Sequence, residues 1–185
     1  MASTYLTRTL SSEGNRQKWT FSAWVKRATL DSQSTIFSTT DGANRFSTFY
    51  FSSNTLRFYD YNDGTFYSHL KTNRLFRDTS AWYHVVAQYD TTQSTASNRL
   101  KFYVNGIQET SFETAIYRSQ NDTGYINSAY VQNIGKESSA DFNGSMSHIH
   151  FTDGYSYDAS AFGETDTTTG EWKIKTNVSV TYGTK

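Results

Sequence analysis

The sequence contains neither cysteine nor proline, and its 17 basic and 17 acidic side chains cancel to a net charge of zero. Without cysteine, disulfides and thiolate zinc sites are excluded, so the fold has to rest on its hydrophobic core. A balanced charge lacks the basic footprint of nucleic-acid binding, and we expect no nucleic-acid partner. No apolar run approaches the roughly 18 residues that span a bilayer, and we expect no membrane insertion.

Aromatic side chains are abundant, at 17% of the chain with 14 tyrosines and 13 phenylalanines. Aromatic and β-branched residues fit a pleated, half-buried surface, which favours strands. Turn signals made of Gly, Asn, Asp and Ser recur between runs of alternating character, at residues 41–42, 53–54, 62–64, 105–106, 143–144 and 153–154. This spacing is typical of an all-β sandwich, and no helical periodicity competes with it.

The alternation predicts where the strands lie. Strands are expected near residues 17–27, 34–40, 45–52, 55–61, 64–70, 82–89, 99–105, 107–112, 131–135 and 145–152. In the first of them Trp19, Phe21, Ala23 and Val25 share one face, whereas Trp24 falls on the otherwise polar face unless a loop or second sheet covers it. Two stretches, 91–98 and 113–130, are predicted loops, and one helical turn is predicted at 158–162.

Several segments resemble a known family in their order and spacing. Residues 19–26, 82–90, 100–108, 134–135 and 142–151 resemble the laminin-G-like branch of the concanavalin A-like lectin/glucanase superfamily, and the resemblance covers roughly residues 3–175. Residues 5–9, 14–16, 162–166 and 170–173 resemble members of that branch in bacteriophage structural and tail proteins. The resemblance implies an all-β jelly roll, a sandwich of two antiparallel sheets, with these core candidates: Trp24, Trp82, Val86, Phe102, Val104, Ile149 and Phe151.

The domain organisation follows from length and resemblance. One domain is predicted over residues 1–176, since 185 residues suit a single two-layer core. Residues 177–185 are expected to form a loosely held C-terminal tail, which could be the start of a truncated segment because the phage relatives usually continue there.

Aromatic-rich polar loops are the strongest functional signal. A sugar ring has one apolar face and a rim of hydroxyls, so its binding site needs a flat aromatic platform beside amide and carboxylate groups. The loops near 59–67 and 113–130 have this composition. The predicted ligand-binding residues are Tyr59, Tyr61, Asn62, Tyr67, Tyr117, Asn121, Tyr125, Asn127 and Tyr130. The residue types alone do not distinguish a glycan ligand from a protein partner at these loops, and the family resemblance favours a glycan.

Metal sites are a second possibility. The resemblance implies Ca²⁺, which takes six to eight oxygen ligands, and Asp60, Asp63 and Asp122 could supply carboxylates. The competing interpretation is that these residues only form solvated turns. His148 and His150, at alternate positions of one strand, could bind a transition metal, but a third ligand is not evident and ordinary sheet-face histidines are the preferred interpretation.

Three functions are compatible with these observations. The first is a non-catalytic carbohydrate-recognition or adhesion module of a phage or virus-like structural protein, such as a tail fibre, on the virion or another extracellular surface. The alternative is a virion structural or decoration protein that contacts only other virion proteins. The weakest is a glycoside hydrolase, because the strand motif Glu-x-Asp-x-(x)-Glu does not occur; we predict that the chain is not an enzyme. Symmetric homo-oligomers would add avidity, although the sequence does not determine the oligomeric state.

Overall fold

The computed structural model describes residues 4–30, 32–138 and 140–184. The beginning of the predicted domain and the last residue of the predicted tail therefore lie outside the described residues. Among the described residues, no helix is long and apolar enough to cross a membrane. The strands are β1 (Leu6–Thr9), β2 (Lys18–Arg27), β3 (Ser34–Thr40), β4 (Arg45–Ser52), β5 (Thr55–Asn62), β6 (Thr65–Thr72), β7 (Tyr83–Asp90), β8 (Leu100–Val104), β9 (Ile107–Gln108), β10 (Phe112–Ile116), β11 (Val131–Ile134), β12 (Gly144–Asp153), β13 (Gly163–Thr165) and β14 (Trp172–Ile174).

The strands form two antiparallel sheets that pack face to face. The larger sheet has the order β1-β11-β3-β4-β5-β6-β10, and the smaller has the order β12-β2-β7-β8-β9. β13 and β14 form a separate two-stranded hairpin. Short 3₁₀ turns occur at Ala96–Asn98 and Ala159–Ala161, and the second begins where the Asp158 side chain accepts a hydrogen bond from the Ser160 N–H (2.9 Å). The predicted all-β sandwich and the single helical turn near 158–162 are confirmed.

The core lies between the two sheets and consists largely of aromatic rings. Trp19, Phe21, Ala23 and Val25 all belong to it, as the alternation along β2 predicted. Trp19 stacks on Tyr89 with ring centroids 4.8 Å apart and contacts Phe58 of the opposite sheet at 5.8 Å. Offset and tilted aromatic pairs of this kind contribute about 1 kcal/mol each beyond the area they bury.

Tight turns set the register of the central hairpins. Asn105 and Gly106 have φ angles of +48° and +82°, and Asp63 and Gly64 have φ angles of +44° and +83°. Positive φ at both central residues is what a type I′ turn requires, and its twist matches that of the strands. The Asn105–Gly106 turn predicted from the sequence is therefore confirmed.

Four strands differ from prediction. β1 was not predicted because its four residues are all exposed and show no alternation. β10 lies partly in the segment predicted as a loop, and a register irregularity near its start weakens the alternation that would reveal it. β13 and β14 have three residues each, too few for a periodic signal. The remaining strands lie where they were expected, to within about four residues, and β9 differs most because it ends at Gln108 rather than near residue 112.

The candidate core residues lie in different places. Phe102 and Val104 are fully buried between the sheets, and Ile149 and Phe151 pack against the core from partly buried positions. Val86 is also fully buried, but it lies outside the core cluster, on the outer face of the smaller sheet. Trp24 is buried but on the outer face of the smaller sheet, in a layer with His84 and Trp172. The prediction of a buried Trp82 is wrong, because this residue precedes β7 and is 40% exposed.

The chain after β12 covers much of the outer face of the smaller sheet. The Tyr157 N–H donates to the Thr20 hydroxyl (2.8 Å), which in turn donates to the Tyr155 carbonyl (3.1 Å). The tail predicted to be loosely held returns to β12, where the Asp153 N–H donates to the Tyr182 carbonyl (2.7 Å). This covering explains why polar residues on the outer face of β2, such as Thr20, are buried.

Candidate functional site

Four aromatic side chains lie together on the outer face of the larger sheet. Register places Tyr61 of β5 between Phe46 of β4 and Phe66 of β6. Its ring centroid is 4.7 Å from that of Phe46 and 5.2 Å from that of Phe66, and Tyr59 packs against Phe66 at 5.8 Å. Phe66 is 41% exposed. We call Phe46, Tyr59, Tyr61 and Phe66 the aromatic face.

A half-buried carboxylate borders the aromatic face. Glu137 accepts hydrogen bonds from the Gln33 amide (2.8 Å) and the Tyr59 hydroxyl (3.5 Å). Burial raises the pKa of Glu137, against the effect of these donors, and burial together with the nearby Glu137 raises the pKa of Tyr59 well above its usual value. Carboxylate, amide and phenol groups here offer both donors and acceptors to a ligand on the rings.

Polar groups also lie at one end of the same strands. Arg45 begins β4 and pairs in register with Asn62, and its guanidinium donates to the Tyr130 hydroxyl (3.3 Å). The buried side-chain oxygen of Asn62 has no hydrogen-bond partner among the residues that the structure describes. Arg45 therefore adjoins two of the predicted ligand-binding residues, Asn62 as its register partner and Tyr130 through its guanidinium.

A β-bulge separates Tyr67 from this face. Between Asp60 and Tyr61 the register of β5 with β6 shifts by one residue, so that Tyr61 pairs with Phe66 and Asp60 with Ser68. Tyr67 instead lies against the Arg118 guanidinium, 4.8 Å from its ring centroid, and Tyr125 contacts the same guanidinium at 5.2 Å. Tyr67 stays exposed, whereas Tyr125 is buried.

Asp60 and Arg118 form a buried ion pair. The Asp60 carboxylate accepts from the Arg118 Nε–H (3.2 Å), from the hydroxyls of Ser68 and Tyr89 (3.2 Å each), and from the Ser47 hydroxyl. Asp60 is 1% exposed and Arg118 4%. Burial opposes the charge on Arg118, but the carboxylate holds its pKa above the usual value. This ion pair fixes the long segment after β10 to the end of the sandwich.

The three predicted calcium ligands do not form one cage of oxygens. Asp60 and Asp122 both bind Arg118, the latter at 2.8 Å, and Asp63 lies in the β5–β6 turn. A guanidinium between two carboxylates occupies the place that a cation would need, so these residues do not fit Ca²⁺. The described residues contain no group of three or more His, Cys, Asp or Glu side chains able to hold a metal ion.

The histidine pair on β12 is also separated. The register shifts between Ser147 and His150, and His148 has a φ of +47° within this bulge. A bulge breaks the alternation that would place both rings on one side. His150 instead lies with its Nδ1 2.8 Å from the Tyr182 hydroxyl, as a sheet-face side chain.

The other predicted ligand-binding residues are dispersed. Asn127 is buried and its amide donates to the Asn15 carbonyl (3.3 Å), Tyr117 packs against the core, and Asn121 is exposed with its backbone N–H bound to the Thr91 carbonyl (2.8 Å). The roles of all nine residues stay predictions. The structure brings Tyr59 and Tyr61 to the aromatic face, whereas Asn62 and Tyr130 are neighbours of Arg45 at one end of β4 and β5.

Sequence reasoning missed several members of this surface. Alternation along β4 places Phe46 on the same face as Tyr50, and this signal could have identified it. Gln33 and Glu137 are 104 residues apart, and no local pattern connects them.

The sheet order defines the protein as a two-sheet antiparallel β-sandwich. A family model described as the concanavalin A-like lectin/glucanases superfamily matches residues 2–160, and the chain belongs to this superfamily. A search of curated proteins finds no match.

Solved structures with the same fold are distant in sequence. A heptameric SAP-like pentraxin from Limulus polyphemus is 17% identical, with a TM-score of 0.54 over 83% of this chain and 70% of that one. Domain 4 of a GH43 extracellular arabinanase from Geobacillus stearothermophilus, in complex with arabinotriose, is 17% identical, with a TM-score of 0.55 over 83% and 67%. A sialidase CBM40 from Ruminococcus gnavus, bound to α2,3-sialyllactose, is 15% identical, with a TM-score of 0.52 over 76% and 89%. These likenesses concern the fold.

Proposed function

We propose that the protein is a non-catalytic carbohydrate-recognition module that binds sugar on the aromatic face. The observation that carries the proposal is the group of four rings on one outer sheet face, with Phe66 exposed and with Glu137 and Gln33 bordering Tyr59. Exposed ring faces stack on the apolar side of a sugar, while the polar groups at the border bind its hydroxyls.

The relatives are consistent with a binding role. Two of them carry a sugar in their described structures, arabinotriose in one and α2,3-sialyllactose in the other. Hydrolysis of a glycosidic bond requires two carboxylates free to act as acid and nucleophile or base. Asp60 and Asp122 are brought together but are both paired with Arg118, and Glu164 and Asp166 are likewise both paired with Lys173.

We further propose that the module acts on the surface of a virus-like particle or another extracellular surface, where many copies are presented together. The support is the sequence resemblance to phage structural and tail proteins. Single shallow sites of this kind are weak, and tethering several on one particle increases their avidity without new contacts.

The test is a glycan array probed with the protein presented multivalently, with Ca²⁺ and again with EDTA. We expect reproducible binding that Tyr61→Ala and Phe66→Ala each weaken by about tenfold or more, the equivalent of about 1.4 kcal/mol. Tyr155→Ala is the matched control, because Tyr155 is an aromatic residue of the same exposure in the segment that covers the smaller sheet. Loss of binding in EDTA would indicate a Ca²⁺ site made by groups other than the Asp60 and Asp122 carboxylates, which Arg118 already binds.

The array also tests the alternative. Aromatic rings at a surface suit protein contacts as well as sugar, and the exposure of Phe66 is what favours a structural or decoration role. No binding across a broad array, or binding that neither substitution weakens, would contradict the proposed sugar site and favour the structural role.

A further inference from the structure

Three of the four tryptophans line a second surface feature, far from the aromatic face. It is a groove of about 470 Å³ on the outer side of the smaller sheet, lined by Trp24, Trp82, Ser147, Trp172, Lys173 and Ile174. We call it the tryptophan groove. The fourth tryptophan, Trp19, lies in the core and is 1% exposed. The volume falls within the range of small-molecule sites.

The walls of the tryptophan groove are held in place before any ligand binds. The Trp172 indole N–H donates to Nδ1 of His84 (2.9 Å), and the His84 ring stacks on Trp24 with centroids 5.1 Å apart. A β-carbon at Gly106 or Gly163 would lie 2.6 or 2.4 Å from the Trp172 ring, so these two glycines leave the space in which the ring sits. Preorganised rings lose little freedom when a ligand stacks on them.

The chemistry of the lining indicates the class of ligand. Lys173 is the charged residue of the groove, and its ammonium is already paired with Asp166 (2.9 Å) and Glu164 (3.8 Å). A groove whose charge is compensated offers little attraction to an ionic ligand. Trp24 is 8% exposed, and within the described part of the chain its buried indole N–H has no hydrogen-bond partner. A ligand with an apolar face and a hydroxyl oxygen complements these groups, and a neutral sugar ring has both.

We propose that the tryptophan groove is a second carbohydrate site, which takes a neutral pyranose stacked on the indole rings. It does not require the aromatic face, because the two surfaces lie on the outer sides of different sheets. With both sites occupied, one domain contacts two sugar units or two chains, which raises avidity and allows cross-linking.

Tryptophan fluorescence tests this site separately from the proposed function. The four residues of the aromatic face include no tryptophan, and Trp19 is buried, so a change in emission reports on the tryptophan groove. The purified protein is titrated with maltotriose, cellotriose and N,N′-diacetylchitobiose. We expect a saturable change in emission and protection from acrylamide quenching with at least one of them.

Matched variants identify the site. Trp82→Ala should weaken that response by about tenfold or more, whereas Phe66→Ala should leave it unchanged. Trp82 is exposed outside the core, and circular dichroism and an unchanged urea midpoint would verify that its variant is folded. If array binding is lost in Phe66→Ala but kept in Trp82→Ala, the array reports on the aromatic face. The fluorescence titration then tests the tryptophan groove independently of the array.

Two outcomes would overturn the proposal. One is no saturable emission change with any of the three sugars, or a change that Trp82→Ala does not weaken. The other is a concentration-dependent dimer in sedimentation velocity that Trp82→Ala dissociates, which would make the groove an interface between copies of this chain.

Discussion

Acid should weaken the contact between the β13–β14 hairpin and the sandwich, because His84 is held there as a neutral ring. An indole nitrogen only donates, so Nδ1 of His84 accepts from Trp172 and the proton of the neutral ring is on Nε2, 2.8 Å from the Ser22 hydroxyl. Burial, with a smaller contribution from His150, lowers the pKa of His84 from 6.5 to about 4. A protonated His84 would present a second donor to Trp172.

The sign and size of the effect follow from linkage. The unfolded chain takes up a proton near pH 6.5 and the folded chain near pH 4, so stability is complete above pH 6.5 and is lost as the pH falls towards 4. The difference between the two pKa values corresponds to at most about 3 kcal/mol. Burial also lowers the pKa values of His69 and His150, which adds to the loss, whereas the raised pKa of Glu137 partly offsets it.

Urea unfolding measured across this pH range gives the free energy of unfolding, and His84→Leu should flatten its dependence on pH. His148→Gln is the matched control, since it removes an exposed histidine from the same sheet. Long-range ¹⁵N NMR spectra report the tautomer and the pKa directly. A His84 that titrates near 6.5, or one protonated on Nδ1 at neutral pH, would refute the reasoning.

Three further predictions concern the buried contacts. Arg118→Met should lower the free energy of unfolding in urea by about 3–5 kcal/mol, because it leaves the Asp60 carboxylate buried without its cation. Adding Asp60→Leu should recover much of this loss, and a double variant as unstable as Arg118→Met alone would contradict the prediction. Gly106→Ala should destabilise more than Gly42→Ala by about 1 kcal/mol or more, since both have a φ of +82° but only Gly106 lies against Trp172; equal thermal shifts would disprove the packing argument. Trp172→Phe keeps a ring but removes the indole N–H, and should cost about 1 kcal/mol at neutral pH and less in acid, as calorimetry would reveal.

The architecture was largely predictable because its signals are local. A period of two along β2 identified Trp19, Phe21, Ala23 and Val25 as one buried face, since alternate residues of a strand point the same way. The Asn105–Gly106 turn followed from the need for two positive φ angles. Both inferences use residues within one or two strands.

The site was only partly predictable because its contacts join distant parts of the chain. Nothing near Asp60 indicates that its partner is Arg118, 58 residues later, and without that partner its carboxylate suggested a metal ligand. A one-residue bulge removed Tyr67 from a face that Tyr61 keeps. Trp82 was predicted to be in the core because large apolar side chains are usually buried. It precedes the first residue of β7 and is 40% exposed, which its hydrophobic character does not indicate.

Phenylalanine and tyrosine lie largely in different parts of the fold. Seven of the 13 phenylalanines belong to the buried core, together with two of the 14 tyrosines, Tyr83 and Tyr89. Each of these two hydroxyls has an acceptor, the Asp78 carbonyl (3.2 Å) for Tyr83 and the Asp60 carboxylate for Tyr89, as burial of a phenol requires.

Phenylalanine thus supplies the packing, and a further tyrosine in the core would need a further buried acceptor. The tyrosines of the aromatic face avoid this requirement because Tyr59 and Tyr61 are only partly buried on an outer sheet surface. Stability alone would be served equally well by fewer rings there, since an exposed ring contributes little burial. The partly exposed tyrosines of the aromatic face are therefore free of this core requirement, and the proposed sugar contacts would use them.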